Sequence, residues 1–125
     1  MKRAAVVLAL VVGAVVGVFA LAEATQNRPD VVERGSSSRL TMTIANRDGP
    51  AGLAEAQALW AVCNRTARSL KLTAPVASLG GGAYRVDVTP AVGHNARKRL
   101  VGCLEDMTLD GLLGRVTALE NAPAR

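Results

Sequence analysis

From Ala4 to Ala22 the chain reads AAVVLALVVGAVVGVFALA, a run without a single charged side chain. A helix in water needs a polar face, so a helix apolar on every side belongs in a large core or in lipid. A chain of 125 residues has no core large enough to hide it. At about 1.5 Å per residue the run spans roughly 28 Å, close to the hydrocarbon thickness of a bilayer. Lys2 and Arg3 precede it and Glu23 follows. The positive-inside rule then keeps the N-terminus in the cytoplasm and sends the rest across.

Residues 1–22 are therefore expected to be a transmembrane anchor or signal segment of a single-pass cell-membrane protein with an extracytoplasmic C-terminal part. Ala20-Leu21-Ala22 has the small-x-small form of a signal-peptidase site, and cleavage near Ala22 would release a soluble protein. The run exceeds a usual signal core, which favours an anchor that stays. Gly13 and Gly17, four apart, match a pattern of close helix contact. In so Ala- and Gly-rich a run that match is weak.

Residues 23–38, EATQNRPDVVERGSSS, lack both helical and strand periodicity and end in Gly35-Ser36-Ser37-Ser38. The composition predicts a flexible linker with an r.m.s. reach of about 22 Å.

Residues 39–125 read as one small α+β domain. Leu40, Met42 and Ile44 alternate with polar residues or alanine, as a half-buried strand does. Asn46 to Pro50 is a turn, with Pro50 suited to the first turn of a helix. That helix is expected from about Gly52 to Ala67, with Leu53, Ala56, Trp60, Cys63 and Ala67 on its apolar stripe. Leu72 to Leu79 reads as a weak strand, placed at an edge because Pro75 cannot donate to a ladder. Gly80-Gly81-Gly82 is a hairpin turn into a cleaner strand carrying Tyr84, Val86 and Val88. A second helix, about His94 to Met107, presents Ala96, Leu100, Cys103, Leu104 and Met107 on one face. Asp110-Gly111 ends it, Leu112 to Glu120 forms the last strand, and residues 121–125 are a frayed tail. The order matches a ferredoxin-like βαββαβ domain: a four-stranded antiparallel sheet with two helices on one face.

Cys63 and Cys103 fall on the inward stripes of two neighbouring helices. Such positions come within the Cα separation a disulfide prefers, about 5.5 Å. Outside the cytoplasm thiols oxidise, so the pair is expected to staple the helices. A redox role lacks the C-x-x-C spacing. A metal site would have only these cysteines and His94, without paired spacing.

Other chemistries lack their residues. His94 is the only histidine and stands at a helix start, with no serine or cysteine placed for it to activate. The carboxylates are scattered, and the triple glycine joins two strands instead of opening a helix as a phosphate loop does. Asn64-Arg65-Thr66 matches the glycosylation sequon but sits inside a helix. No enzyme activity and no cofactor are expected. Nucleic acid is not expected as a partner either. The aromatics are Phe19 in the apolar run, Trp60 on a helix and Tyr84 on the core face of a strand, which leaves no stacking platform.

Two surfaces remain. In a two-layer fold the sheet face without helices is solvated or occupied. Thr41, Thr43, Arg85, Asp87, Arg115 and Thr117 are expected there and form the candidate binding face. Arg97, Lys98 and Arg99 are the densest basic cluster, a candidate contact for anionic lipid or acidic envelope polymer. The bases of residues 39–125 exceed the acids by 11 to 7. That surplus also suits a merely soluble surface.

RLVGCLEDMTLDGLLGRV, LWAVC in the first domain helix and the N-terminal anchor together are similar to small single-pass proteins of actinobacterial envelopes. The resemblance implies an envelope location and brings no catalytic or binding residue. The expected function is a non-enzymatic, membrane-anchored extracytoplasmic binding or structural module. Its partners would be the membrane and another envelope protein or an anionic surface. The alternative is a secreted binder or inhibitor. Thr89 to Cys103 has the Gly-His-then-Cys rhythm of subtilisin-type inhibitors, whose further strand-borne cysteine is missing here.

Overall fold

In a computed structural model of the chain, the apolar run forms one helix, α1 (Lys2–Ala24). The stretch Ala4–Ala24, 21 residues, is long and apolar enough to cross a membrane, and none of it is buried against the rest of the chain. A signal sequence has the same properties. The structure describes residues 2–24, 29–67 and 70–125. Met1, residues 25–28 of the expected linker and residues 68–69 lie outside the described residues, as do the side chains of Lys2 and Arg3.

The remainder is a mixed α+β unit on a curled antiparallel sheet. Its elements are β1 (Ser37–Asn46), β2 (Gly49–Pro50), α2 (Leu53–Thr66), β3 (Lys71–Leu72), β4 (Ala77–Gly80), β5 (Ala83–Thr89), α3 (His94–Asp106) and β6 (Leu113–Ala122). β1 is central, pairing with β5 on one side and β6 on the other. β3 and β4 both pair with the far side of β5.

The alternation read from the sequence decides which face is covered. Leu40, Met42 and Ile44 of β1 and Tyr84, Val86 and Val88 of β5 are buried under the helices. Ala56, Leu59, Trp60 and Cys63 of α2 and Ala96, Leu100 and Leu104 of α3 complete the core. The Tyr84 hydroxyl, buried with its ring, donates to the carbonyl of Ala51 and so keeps its polar end paired.

Several expectations are corrected. Four strands become six. Pro50 is not in the first turn of a helix: with Gly49 it pairs back onto Asn46 and Ala45. Its ring needs no ladder donor there, and α2 begins later, at Leu53. The Glu55 carboxylate accepts the Gly52 N–H at 2.6 Å, satisfying a donor at the helix start. On the stripe of α2, Leu53 is 41% exposed while Leu59, left out of the expected stripe, is fully buried. The expected second strand is two pieces with Pro75 between them, as a residue without an N–H requires. The tail is not frayed at its start. Asn121 and Ala122 belong to β6, and Asn121 accepts from the Ser38 hydroxyl and donates to the Val92 carbonyl.

The largest departure concerns the linker. Its described C-terminal part, from Pro29, is bound to the domain. Asp30 accepts the backbone N–H groups of Asn95 and Ala96 at 2.8 and 2.7 Å. Those are donors that the first turn of α3 leaves without an intrahelical partner. Ser36 is buried, accepts the Ala91 N–H with its hydroxyl, and receives the Thr89 hydroxyl on its carbonyl. Ser37 and Ser38 already belong to β1.

Candidate functional site

The face of the sheet away from α2 and α3 is built by strand parity. Register places Thr41 opposite Arg85, Arg39 opposite Asp87, and Thr43 opposite Ala83. Across the other edge of β1, Arg39 faces Glu120, Thr41 faces Ala118 and Thr43 faces Arg115. A register shift between Thr41 and Met42 leaves Thr117 as the extra residue of a bulge. Its hydroxyl turns to the Thr41 carbonyl and donates at 3.1 Å. The six residues expected on one face therefore share it.

Asp87 organises the charge on this face. Its Oδ1 accepts Arg39 Nε at 2.7 Å, and its Oδ2 lies 3.3 Å from Arg85 Nε. The hydrogen bond to Asp87, then its charge, raises the Arg39 pKa further above its ordinary value. The Arg39 guanidinium therefore stays cationic at any physiological pH. Arg85 Nε is buried and makes no aligned hydrogen bond, so its contact with Asp87 is purely electrostatic.

Arg39 and Glu120 were absent from the expected binding set. Arg39 could have been read from the sequence, since it keeps the parity of Thr41 and Thr43. Glu120 needed the bulge, which flips the parity of β6 after Thr117.

At the end of the sheet where β1 begins, the same face opens into a cleft of about 640 Å³, whose walls include Arg39, Asp87, Thr73 and Glu120. It offers guanidinium donors and carboxylate acceptors, with neither a histidine nor a cysteine among its lining residues. The Ser38 hydroxyl on its wall is already committed: it donates to Asn121 and accepts the Val92 N–H. Such a surface suits polar and ionic recognition. Trp60 and Tyr84 are both buried on the opposite side, so neither ring reaches it.

Cys63 and Cys103 are joined sulfur to sulfur, with Cα atoms 5.5 Å apart. The bridge ties α2 to α3 in the last turn of each helix. Arg99 does not extend a free basic cluster. Its Nε donates to the Thr66 carbonyl at 2.9 Å and serves one of the last acceptors of α2. Arg97 and Lys98 are exposed, and so is His94 at the start of α3. Among the described residues no three His, Cys, Asp or Glu side chains gather to hold a metal. The Asn64 amide of the sequon is engaged on both sides, donating to the Leu70 carbonyl at 2.9 Å and accepting its N–H at 2.8 Å.

No family model, curated protein or solved structure matches this chain.

Proposed function

We propose that the chain is a membrane-tethered, non-enzymatic binding module whose domain lies outside the cytoplasm and engages another envelope component through the open sheet face. The observation that carries this is the pairing of two unlike surfaces on one sheet. One face is covered by α2 and α3. The other presents Thr41, Thr43, Arg85, Asp87, Arg115 and Thr117, with Arg39 and Glu120, and among the described residues no element packs over it. The location rests on the apolar span of α1 and on Lys2 and Arg3 ahead of that span, together with a disulfide suited to an oxidising compartment. The strand order β6-β1-β5 followed by β3 and β4 supports a ferredoxin-like reading. In that reading β3 and β4 are two halves of one edge strand, and β2 is an added hairpin arm.

The test is purification of the full chain from membranes in mild detergent after cross-linking, beside the Arg85→Glu and Arg115→Glu variant. A partner captured by the native chain and lost by the variant supports the reading. A chain that comes out alone, or a variant that captures the same partner, removes it. The secreted alternative is separated by the mass of the mature N-terminus, because a start at Glu23 or Ala24 requires cleavage.

A further inference from the structure

Charged residues are segregated along the domain. β1 runs from one end of the sheet to the other, and β5 and β6 return antiparallel to it. The end where β1 starts therefore also holds the ends of β5 and β6, the start of α3 and the close of α2. Arg34, Arg65, Lys71, Arg97 and Lys98 are exposed there. The acids at that end are Glu33, Asp30, Asp87 and Glu120; Asp30 is bound to the N–H groups that open α3, and Asp87 and Glu120 both face Arg39 across the sheet. At the opposite end are Asp48, Glu105, Asp106 and Asp110, all exposed, with Glu55; Arg47 and Arg115 are the bases among them. The domain is thus an electrical dipole along the strand direction.

The path of the chain says which pole meets the membrane. Asp30 and Ser36 fix the segment after Pro29 to the basic end. Pro29 is five residues after Ala24, the last residue of α1. Five residues reach at most about 18 Å. The acidic end lies a full strand length farther away, since the ten residues of β1 cover about 33 Å.

We infer that the domain docks its basic end, through Arg97 and Lys98 with Arg34 and Lys71, on the anionic lipid headgroups around its own anchor. The charge is of the sign that lipid attracts, and attraction falls off within a Debye length, about 8–10 Å at ordinary salt. A flexible tether would let the domain tumble out of that range. The bound segment does not. The acidic end then points away from the lipid, and the open sheet face stands roughly upright beside it, accessible to a partner. This docking rests on α1 remaining in the membrane as an anchor.

The experiment uses the full chain with lipid of two compositions, phosphatidylcholine alone and phosphatidylcholine mixed with phosphatidylglycerol. Flotation with vesicles of each reports the anchor. Backbone hydrogen exchange in nanodiscs of each reports the docking. The anionic lipid is expected to slow exchange at residues 94–98 by about fivefold or more, roughly what one base contributes beside an anionic surface. Residues 46–50 and 105–111 should exchange equally in both lipids. The slowing should vanish near 1 M salt, where the Debye length is about 3 Å. It should also vanish in Arg97→Glu with Lys98→Glu, and if that variant misfolds the salt series on the native chain decides. A chain that floats with neither lipid overturns the anchor and the docking together. A chain that floats with both but exchanges equally, or is protected at the acidic end, overturns the docking alone.

Discussion

Asp30 stands 65 residues before Asn95 in the chain, yet its Oδ1 accepts the Asn95 backbone N–H at 2.8 Å. Its Oδ2 takes the next donor, Ala96 N–H, at 2.7 Å. Gly93, the residue just ahead of α3, has no side chain to cap the helix, and a Cβ there would collide with Asp30. A cap that most helices receive from the preceding residue is here supplied from the linker. One carboxylate therefore both closes a helix and fastens the approach to α1.

Asp30→Ala should lower stability by about 1 kcal/mol, the usual cost of losing an N-cap. Gly93→Ala should cost a similar amount by displacing Asp30. The two changes together should cost less than their sum, because both remove the same contact. Urea unfolding of the single and double variants measures this.

The same carboxyl predicts a pH dependence. Burial alone would raise its pKa, but the N–H groups of Asn95 and Ala96, then the Arg99 charge, outweigh that and hold it below the ordinary 3.8. A pKa lowered by folding stabilises the domain above the ordinary value, and that stability disappears as pH falls through the lower folded value. Native protein should lose stability across that acid range more steeply than Asp30→Ala, as read from melting temperature against pH.

Reduction of the Cys63–Cys103 bridge should be costly. It closes a loop with a sequence separation of 40. In the chain-entropy account such a loop contributes about 4 kcal/mol. A domain of this size is stable by only about 4–13 kcal/mol in all. Cys63→Ser with Cys103→Ser, or native protein in reductant, should shift the urea midpoint strongly downward.

Two glycines should respond in opposite directions to alanine. At Gly114 a new Cβ would meet the carbonyl oxygen of Leu104, a backbone atom, with Leu59 also at 3.3 Å. Neither helix nor strand can withdraw without breaking the core, so Gly114→Ala should cost about 2–3 kcal/mol. At Gly102, within α3, the nearest atom is the tip of Asp106 at 3.8 Å. Gly102→Ala should stabilise by about 0.5–1 kcal/mol, since the helix loses a flexible residue and gains no clash. Thermal melts of both variants test the contrast.

Asn64→Ala should destabilise the close of α2 by about 1–2 kcal/mol, since Leu70 would lose partners for both its N–H and its carbonyl. The engaged amide also predicts that native protein exported through a glycosylating pathway keeps its unmodified mass.

Period-two and period-3.6 patterns are local, and they settled much of this protein. Leu40-Met42-Ile44 and Tyr84-Val86-Val88 fixed which side of each strand is buried. The helical spacing put Cys63 and Cys103 on stripes that face the sheet. Arg85 and Asp87 shared a face with Thr41 for the same reason. Leu59 was missed because alanines around it blur the stripe of α2, and its burial depends on what α3 and β6 place above it.

Contacts between distant parts of the chain were settled only by the tertiary structure. Residues 29–38 have the composition of a free linker, and the local turn from Glu33 to Ser36 does not fasten them to the domain. Asp30 and Ser36 are ordered by donors on residues 89–96, which arrive beside them once β5 and α3 are in place. The bulge at Thr117, which brings Ala118 and Glu120 onto the open face, likewise depends on the pairing of β6 with β1. Side-chain periodicity is written along a segment, whereas caps, bulges and docked tethers depend on which backbone groups are left unpaired when separate segments meet.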